Sequence, residues 1–244
     1  HSAGEVSAPG VSGVFGRAVG AFELVERIGL QDDTNHSLTR RMLLLEESVS
    51  LRDPSVHEAV VRATLERYLE VGGTDASKVP RFLLNDVVRY WRTISVDYQA
   101  KAREDVSPSG LRYLKLIISR KTLFAGTLMS LLLCGTEIGH NATVDDLAAQ
   151  FRLTPLERLV QCYPEVPVKV QEAMAGVLEV VDEFLERSSD SGWRERVKQG
   201  RRGGVDQPEF DHMRVSADRL QNCLEVIFFG WDLIAERSRR TLVF

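Results

Sequence analysis

The sequence predicts an all-α fold, a multi-helix bundle of about seven to nine helices. Apolar residues recur with a period near 3.6, and no run alternates with the two-residue period of a strand. Capping residues and Pro mark helix starts, and Gly marks stops. With 244 residues, 43% of them apolar, the chain is also long enough to bury a sizeable core.

Taken in order, residues 1–14 are small and rich in Gly, Ser and Pro, and read as a loose N-terminal segment. A first helix is expected over Ala18 to Ile28, stopping near Gly29. Asp33, Thr34 and Asn35 are cap candidates for the next, whose Leu38, Met42 and Leu45 share a face. Asp53-Pro54 supplies a cap and a first-turn proline for a helix running to about Val71, before Gly72-Gly73. The longest segment, Val79 to Arg103, ends at Ser107-Pro108-Ser109-Gly110, and a second long helix spans Leu111 to Cys134. Thr143 and Thr154-Pro155 open two short helices. An amphipathic helix covers Val168 to Arg187, and a last one Pro208 to Arg239. The polar, Gly-rich stretch 188–206 reads as a mobile loop. Residues 15–134 form one helical domain, and 135–244 a C-terminal helical part of the same bundle or a second one.

Net charge is −4, from 31 Lys and Arg against 35 Asp and Glu. This excludes a globally basic protein of the histone or ribosomal kind. Three cysteines, Cys134, Cys162 and Cys223, are widely spaced without a CxxC pair. They argue against a disulfide framework or zinc site and for a reducing cytoplasm. The most apolar run, Leu123 to Cys134, is shorter than the roughly 18 residues of a bilayer span. It follows Arg120 and Lys121 and reads as a buried helix. No membrane association is expected. The chain opens on His1 rather than Met, which reads as the result of a cut.

The acidic average hides a basic region. Between Lys78 and Lys121 lie ten basic and four acidic residues, a net +6 that leaves −10 elsewhere. On the first long helix Asn85, Arg89, Arg92 and Val96 form one ridge. Asp86, Tyr90, Thr93, Asp97 and Lys101 form its neighbour, while Leu84, Val88, Trp91 and Tyr98 mark an apolar face. On the next helix Arg112, Lys115, Ser119 and Thr122 share a side, with Arg120 and Lys121 close by. Packed antiparallel, the two polar ridges would converge on one anionic ligand, such as a nucleotide triphosphate or an RNA end. The other reading of these ridges is a solvated face on which Asp86 and Asp97 pair with Arg89, Arg92 and Lys101.

No P-loop, GxGxxG, HExxH or GxSxG pattern occurs. The five His residues are scattered, so no metal site and no catalytic residues are assigned. Arg52 and His57 have the R-x4-H spacing of some helical ribonucleases, but they flank Asp53-Pro54 at a helix start. Adjacent carboxylates such as Asp32-Asp33 and Asp145-Asp146 sit at helix starts, where they suit the dipole.

The blocks GVFG (13–16), LTRRMLLLEES (38–48), RFLLNDVVRYWRTISVDYQAK (81–101) and LRYLKLIISRKTLFAGTL (111–128) resemble a known region. It is the one downstream of the catalytic domain in bacterial nucleotidyltransferase-like proteins of the polymerase-β superfamily, akin to uridylyltransferases. The resemblance covers residues 13–134. It implies a helical domain closing over a nucleotide, with Asn85, Asp86, Arg89, Arg92, Lys115, Arg120 and Lys121 lining the nucleotide or acceptor cleft. Thr39, Arg40 and Arg41 are weaker candidates. It implies a nucleotide triphosphate and an acceptor, protein or RNA, as partners, and Mg²⁺ in a catalytic domain. This chain has no Gly-Ser turn followed by alternating carboxylates and no Asp-x-Asp. The resemblance therefore places the catalytic half upstream of His1 and makes this part inactive alone. The alternative is a non-enzymatic helical interaction or regulatory module, with a homo-oligomer as one form of assembly. Its docking surface would be the acidic remainder or the 188–206 segment with Arg194, Arg196, Arg201 and Arg202.

Overall fold

A computed structural model describes residues 18–104, 110–198 and 207–243. The expected loose segment 1–14, the GVFG block, the break at 107–109 and Arg201 and Arg202 lie outside the described residues. The described residues form eleven helices and no strand, an all-α architecture with more and shorter helices than the sequence suggests.

Helix α1 (Ala21–Glu26) is short and is followed by Gly29, whose φ of 81° lies in the left-handed region. Helix α2 (Asn35–Glu47) starts at Thr34, whose hydroxyl accepts from the Ser37 amide at 3.2 Å. Helix α3 (Pro54–Val71) starts at Asp53, which accepts from the Ser55 amide at 2.9 Å, with Pro54 in the first turn. Both starts are those the capping residues announce. Helix α4 (Arg81–Glu104) has 24 residues and follows Pro80.

Helix α5 (Gly110–Leu133) is the spine of the bundle. By length and composition it could cross a bilayer, beyond what the run Leu123 to Cys134 alone suggests, yet most of its apolar window is buried in the protein. From Ala125 to Leu133 every residue is buried. Trp91 of α4 stacks on its Phe124, with ring centroids 5.4 Å apart and planes 17° from parallel. Gly126 lets Pro155 approach: a Cβ there would lie 2.2 Å from the Pro155 carbonyl oxygen. Residues Leu116–Arg120 form a π turn within α5.

Helix α6 (Val144–Arg152) is capped by Thr143 and tied to α3 by Arg62–Asp145 (2.5 Å) and Arg152–Glu58 (2.7 Å). Helix α7 (Pro155–Val160) has a full capping box between Thr154 and Glu157. Helix α8 (Val168–Ser189) packs on α10 (Pro208–Phe229), where Gly176 faces the Cys223 thiol. Helix α11 (Asp232–Ser238) continues into a π turn at Arg239–Val243. The single terminal helix expected over Pro208 to Arg239 is thus divided, with Gly230 ending α10 and buried Trp231 starting α11.

The stretch read as a mobile loop is partly helical. Helix α8 reaches Ser189, and α9 (Ser191–Lys198) follows after one residue. The Asp190 carboxylate accepts from the Gly192 and Trp193 amides at 2.8 and 3.2 Å. Trp193 is buried edge-on against Phe184. A local cap and one tryptophan outweigh the polar composition; residues 199–206 lie outside the described residues. One hydrophobic core runs from Ile28 through α5 to Ile234, so residues of both halves of the chain share it. The three cysteines are free thiols, two buried and one half-buried.

Candidate functional site

The basic ridge of α4 faces the start of α2. Asn35, Asn85, Val88, Arg89, Arg92, Thr93, Val96 and Asp97 line a surface depression of about 510 Å³. Asn35 is the first residue of α2, placed by the Thr34 cap. Its Oδ1 accepts from the Nε and one terminal nitrogen of Arg89 at 3.1 and 2.7 Å. That nitrogen also donates to the Asp33 carbonyl at 3.4 Å. Arg92, on the same ridge, is exposed and makes no ion pair among the described residues.

Beneath the depression lies a buried polar network. Arg41 is fully buried and forks onto the two carboxylate oxygens of Asp33 at 2.9 and 2.6 Å. Its Nε donates to the Tyr68 hydroxyl at 3.0 Å, and that hydroxyl donates to Asp86 at 2.7 Å. Asp86 also lies 3.4 Å from Arg41 and 3.8 Å from Arg89. Burial disfavours the charged guanidinium, but hydrogen bonding to Asp33 and the groups around it outweighs this, and the Arg41 pKa rises above its ordinary value. Burial and the Asp86 carboxylate push the Tyr68 phenol well above its ordinary range. Helices α2, α3 and α4 and the residue before the α2 cap thus meet at a rigid base that holds Arg89 and Asn35 in register.

The sequence-expected residues fall into separate settings. Asn85, Arg89 and Arg92 share the depression. Asp86 is buried beneath it as a structural carboxylate, and Tyr90 of the same expected polar ridge is buried as well. Lys115 is exposed on α5. Arg120 pairs with Glu47 at the end of α2, whereas Lys121 donates to Gln221 of α10 at 2.9 Å. Burial lowers the Lys121 pKa, against Asp218 and Glu225. No α5 residue lines the depression, so the two basic ridges do not converge there. The π turn at Leu116–Arg120 breaks the 3.6 period within the expected ridge: Thr122, beyond it, is buried and donates to the Ile118 carbonyl, while Arg112, before it, is exposed. Of the weaker candidates, Thr39 bonds its own helix at the Asn35 carbonyl, and Arg41 is part of the base. His57 contacts Ser48 at 2.6 Å and has no described contact with Arg52.

A second buried cluster carries no sequence motif. Arg158 of α7 is fully buried, donates to the Thr127 hydroxyl at 2.9 Å and lies 5.4 Å over the Phe151 ring. Glu46 of α2 is buried nearby, and neither of its oxygens has a hydrogen-bond partner among the described residues. Burial pushes the Glu46 carboxyl up to about 8, against the pull of Thr127 and Arg158. Its proton is therefore held more tightly folded than unfolded. The resulting stability is fully present below the ordinary carboxylate pKa and is lost as pH rises towards 8. Stability should therefore fall steadily as pH rises across that window. Urea midpoints of wild type and Glu46→Gln measured from pH 5 to 8 check this: the variant should show the shallower slope. Equal slopes would assign the pH dependence elsewhere.

Among the described residues no group of His, Cys, Asp or Glu is placed to hold a metal ion. Comparison with protein-family models, curated proteins and solved structures finds no match.

Proposed function

We propose that this chain is the helical portion of a nucleotidyltransferase-like protein, in which the depression between α2 and α4 receives the phosphates of a nucleotide or of the acceptor. One observation carries the reading. Arg89 and Arg92 stand together in a concave surface with Asn35 and Asn85, and Arg89 is held by Asn35 and the Asp33 carbonyl, with Asp86 of the buried network 3.8 Å away. A preorganised guanidinium loses little entropy on binding, and a planar fork suits phosphate oxygens. The resemblance of residues 81–101 and 111–128 to the nucleotidyltransferase region supplies the class. This sequence has no Asp-x-Asp and no Gly-Ser turn followed by alternating carboxylates, so the reading assigns the depression binding and no metal-dependent step.

Titration with UTP and ATP tests the proposal. Wild type should bind, and the R89A/R92A variant should bind at this site at least tenfold more weakly, since each lost charge-assisted bond removes about 1.5–3 kcal/mol. Both residues are exposed, so the variant should keep its helical circular dichroism. Equal affinity in the two proteins would overturn the proposal.

A non-enzymatic interaction module is the second reading. Val49, Leu51 and Val56 favour it: they are exposed around the α2–α3 connection, Leu51 to 96%. Light scattering of wild type and Leu51→Asp decides it, because only a self-association through this patch would be lost in the variant.

A further inference from the structure

At the N-terminal end of α4 lies a larger cleft, of about 620 Å³. One wall is the α3–α4 connection, with Gly72, Gly73, Thr74, Ser77, Lys78 and Arg81. The other is a single face of α11 and its π turn, where Leu233, Glu236, Arg237 and Arg240 follow at helical spacing. Arg237 anchors this second wall. It donates to the carbonyls of Leu132, Cys134 and Gly135 at 3.3, 2.7 and 3.2 Å, and so ties α11 to the end of α5.

The remaining three cations are available to a ligand. Arg81 is exposed and makes no ion pair among the described residues. Among the described residues Lys78 pairs only with Asp75, three residues away, at 3.1 Å, and Arg240 only with Glu236, four residues away, at 2.8 Å. Both pairs are largely solvent-exposed and therefore weak. Asp75 would not be stranded if Lys78 left, because it also accepts from the Ser77 amide and hydroxyl at 2.9 and 2.8 Å. Thr74, Ser77 and Thr241 line the same space, the Ser77 and Thr241 hydroxyls donating to Asp75 and to the Arg237 carbonyl.

We infer that this cleft is a binding site for an oligophosphate anion, either inorganic or the phosphate chain of a nucleotide, which bridges the α3–α4 connection to the C-terminal helix. Its volume exceeds that of one phosphate, and its cations stand on both walls, so a chain of charges satisfies what a single anion cannot. No aromatic side chain lines it, and its apolar lining is limited to Val79 and Leu233 with the stems of the charged residues. The phosphates, not a base, are what it recognises. The site is separate from the α2–α4 depression and shares no lining residue with it.

Isothermal titration with tripolyphosphate, ATP and adenosine tests the inference, with hydrogen exchange at residues 239–243 as a second readout. Tripolyphosphate and ATP should bind alike in the cleft and adenosine should not. The R81E/R240E variant should weaken this binding at least tenfold and abolish the ligand-induced protection of 239–243. R89A/R92A should leave both unchanged. Adenosine binding as well as ATP, or unchanged tripolyphosphate binding in R81E/R240E, would overturn the inference. If R89A/R92A alone removes all binding, the cleft is not a site and the α2–α4 reading stands. If R81E/R240E alone removes it, the cleft stands and the α2–α4 reading falls. Arg81 and Arg240 are exposed and make at most a local pair, so a folded variant is expected and circular dichroism verifies it.

Discussion

Replacing Arg41 by Met should cost roughly 3–5 kcal/mol of folding stability, the range seen when one partner of a buried ion pair is removed. The side chain is fully buried and makes the only fork onto Asp33 among the described residues. Without it, Asp33 loses its only ion pair among the described residues, and Asp86 keeps only the half-exposed Arg89 at 3.8 Å. Met retains most of the packing volume, so the loss measures charge rather than a cavity. The expected result is a lowered urea midpoint with unchanged far-UV circular dichroism at low denaturant. Adding Asp33→Asn and Asp86→Asn to Arg41→Met should recover part of the loss, because the uncompensated carboxylates are then gone. A loss below ~1 kcal/mol for Arg41→Met alone would mean that the carboxylates find water or take up protons, and that the network does not brace the depression.

Gly135→Ala should cost about 2–5 kcal/mol. Gly135 has φ +70°, and a Cβ there would lie 1.8 Å from the Ser77 carbonyl oxygen. The left-handed conformation alone costs an L-residue roughly 1–2 kcal/mol, and a forced backbone displacement adds about 1–3 more. The displacement cannot be local. Gly135 donates its amide to the His140 carbonyl at 2.7 Å, and Ala142 donates to Ala76 at 2.7 Å, so two loops are clamped together at this point. Gly73→Ala is the control. Its φ is +54°, but nothing lies within 4 Å of the added carbon, so only the conformational part should appear. Thermal or urea unfolding of both variants separates the two contributions. Equal losses would show that the close approach to Ser77 relaxes freely.

The helices were legible because their ends carry local chemistry. Thr34, Asp53, Thr143 and Thr154 each cap the helix their position announces, since a capping bond spans only two or three residues. The division at Gly230-Trp231 and the helix after Asp190 were less legible, because long-range burial of Trp231 and Trp193 decides them. In the candidate site, Asn85, Arg89 and Arg92 were legible as a ridge of α4. The burial of Asp86 was not, because its partners Arg41 and Tyr68 come from helices remote in sequence. A signal did exist in α2: Arg41 and Glu46 fall on the stripe of Leu38, Met42 and Leu45, where a charge must be paired or pay for its burial. The π turn at Leu116–Arg120 had no such signal.

The apolar spine has a consequence during synthesis. Helix α5 leaves the ribosome well before α7 and α11, which cover it in the finished bundle. At about 5–20 residues per second, roughly a hundred further residues take about 5–20 s to appear. For that interval the nascent chain displays a stretch long and apolar enough to resemble a membrane span. Chaperone engagement should therefore peak on ribosome-bound chains that stop between α5 and α7, and fall once α11 has emerged.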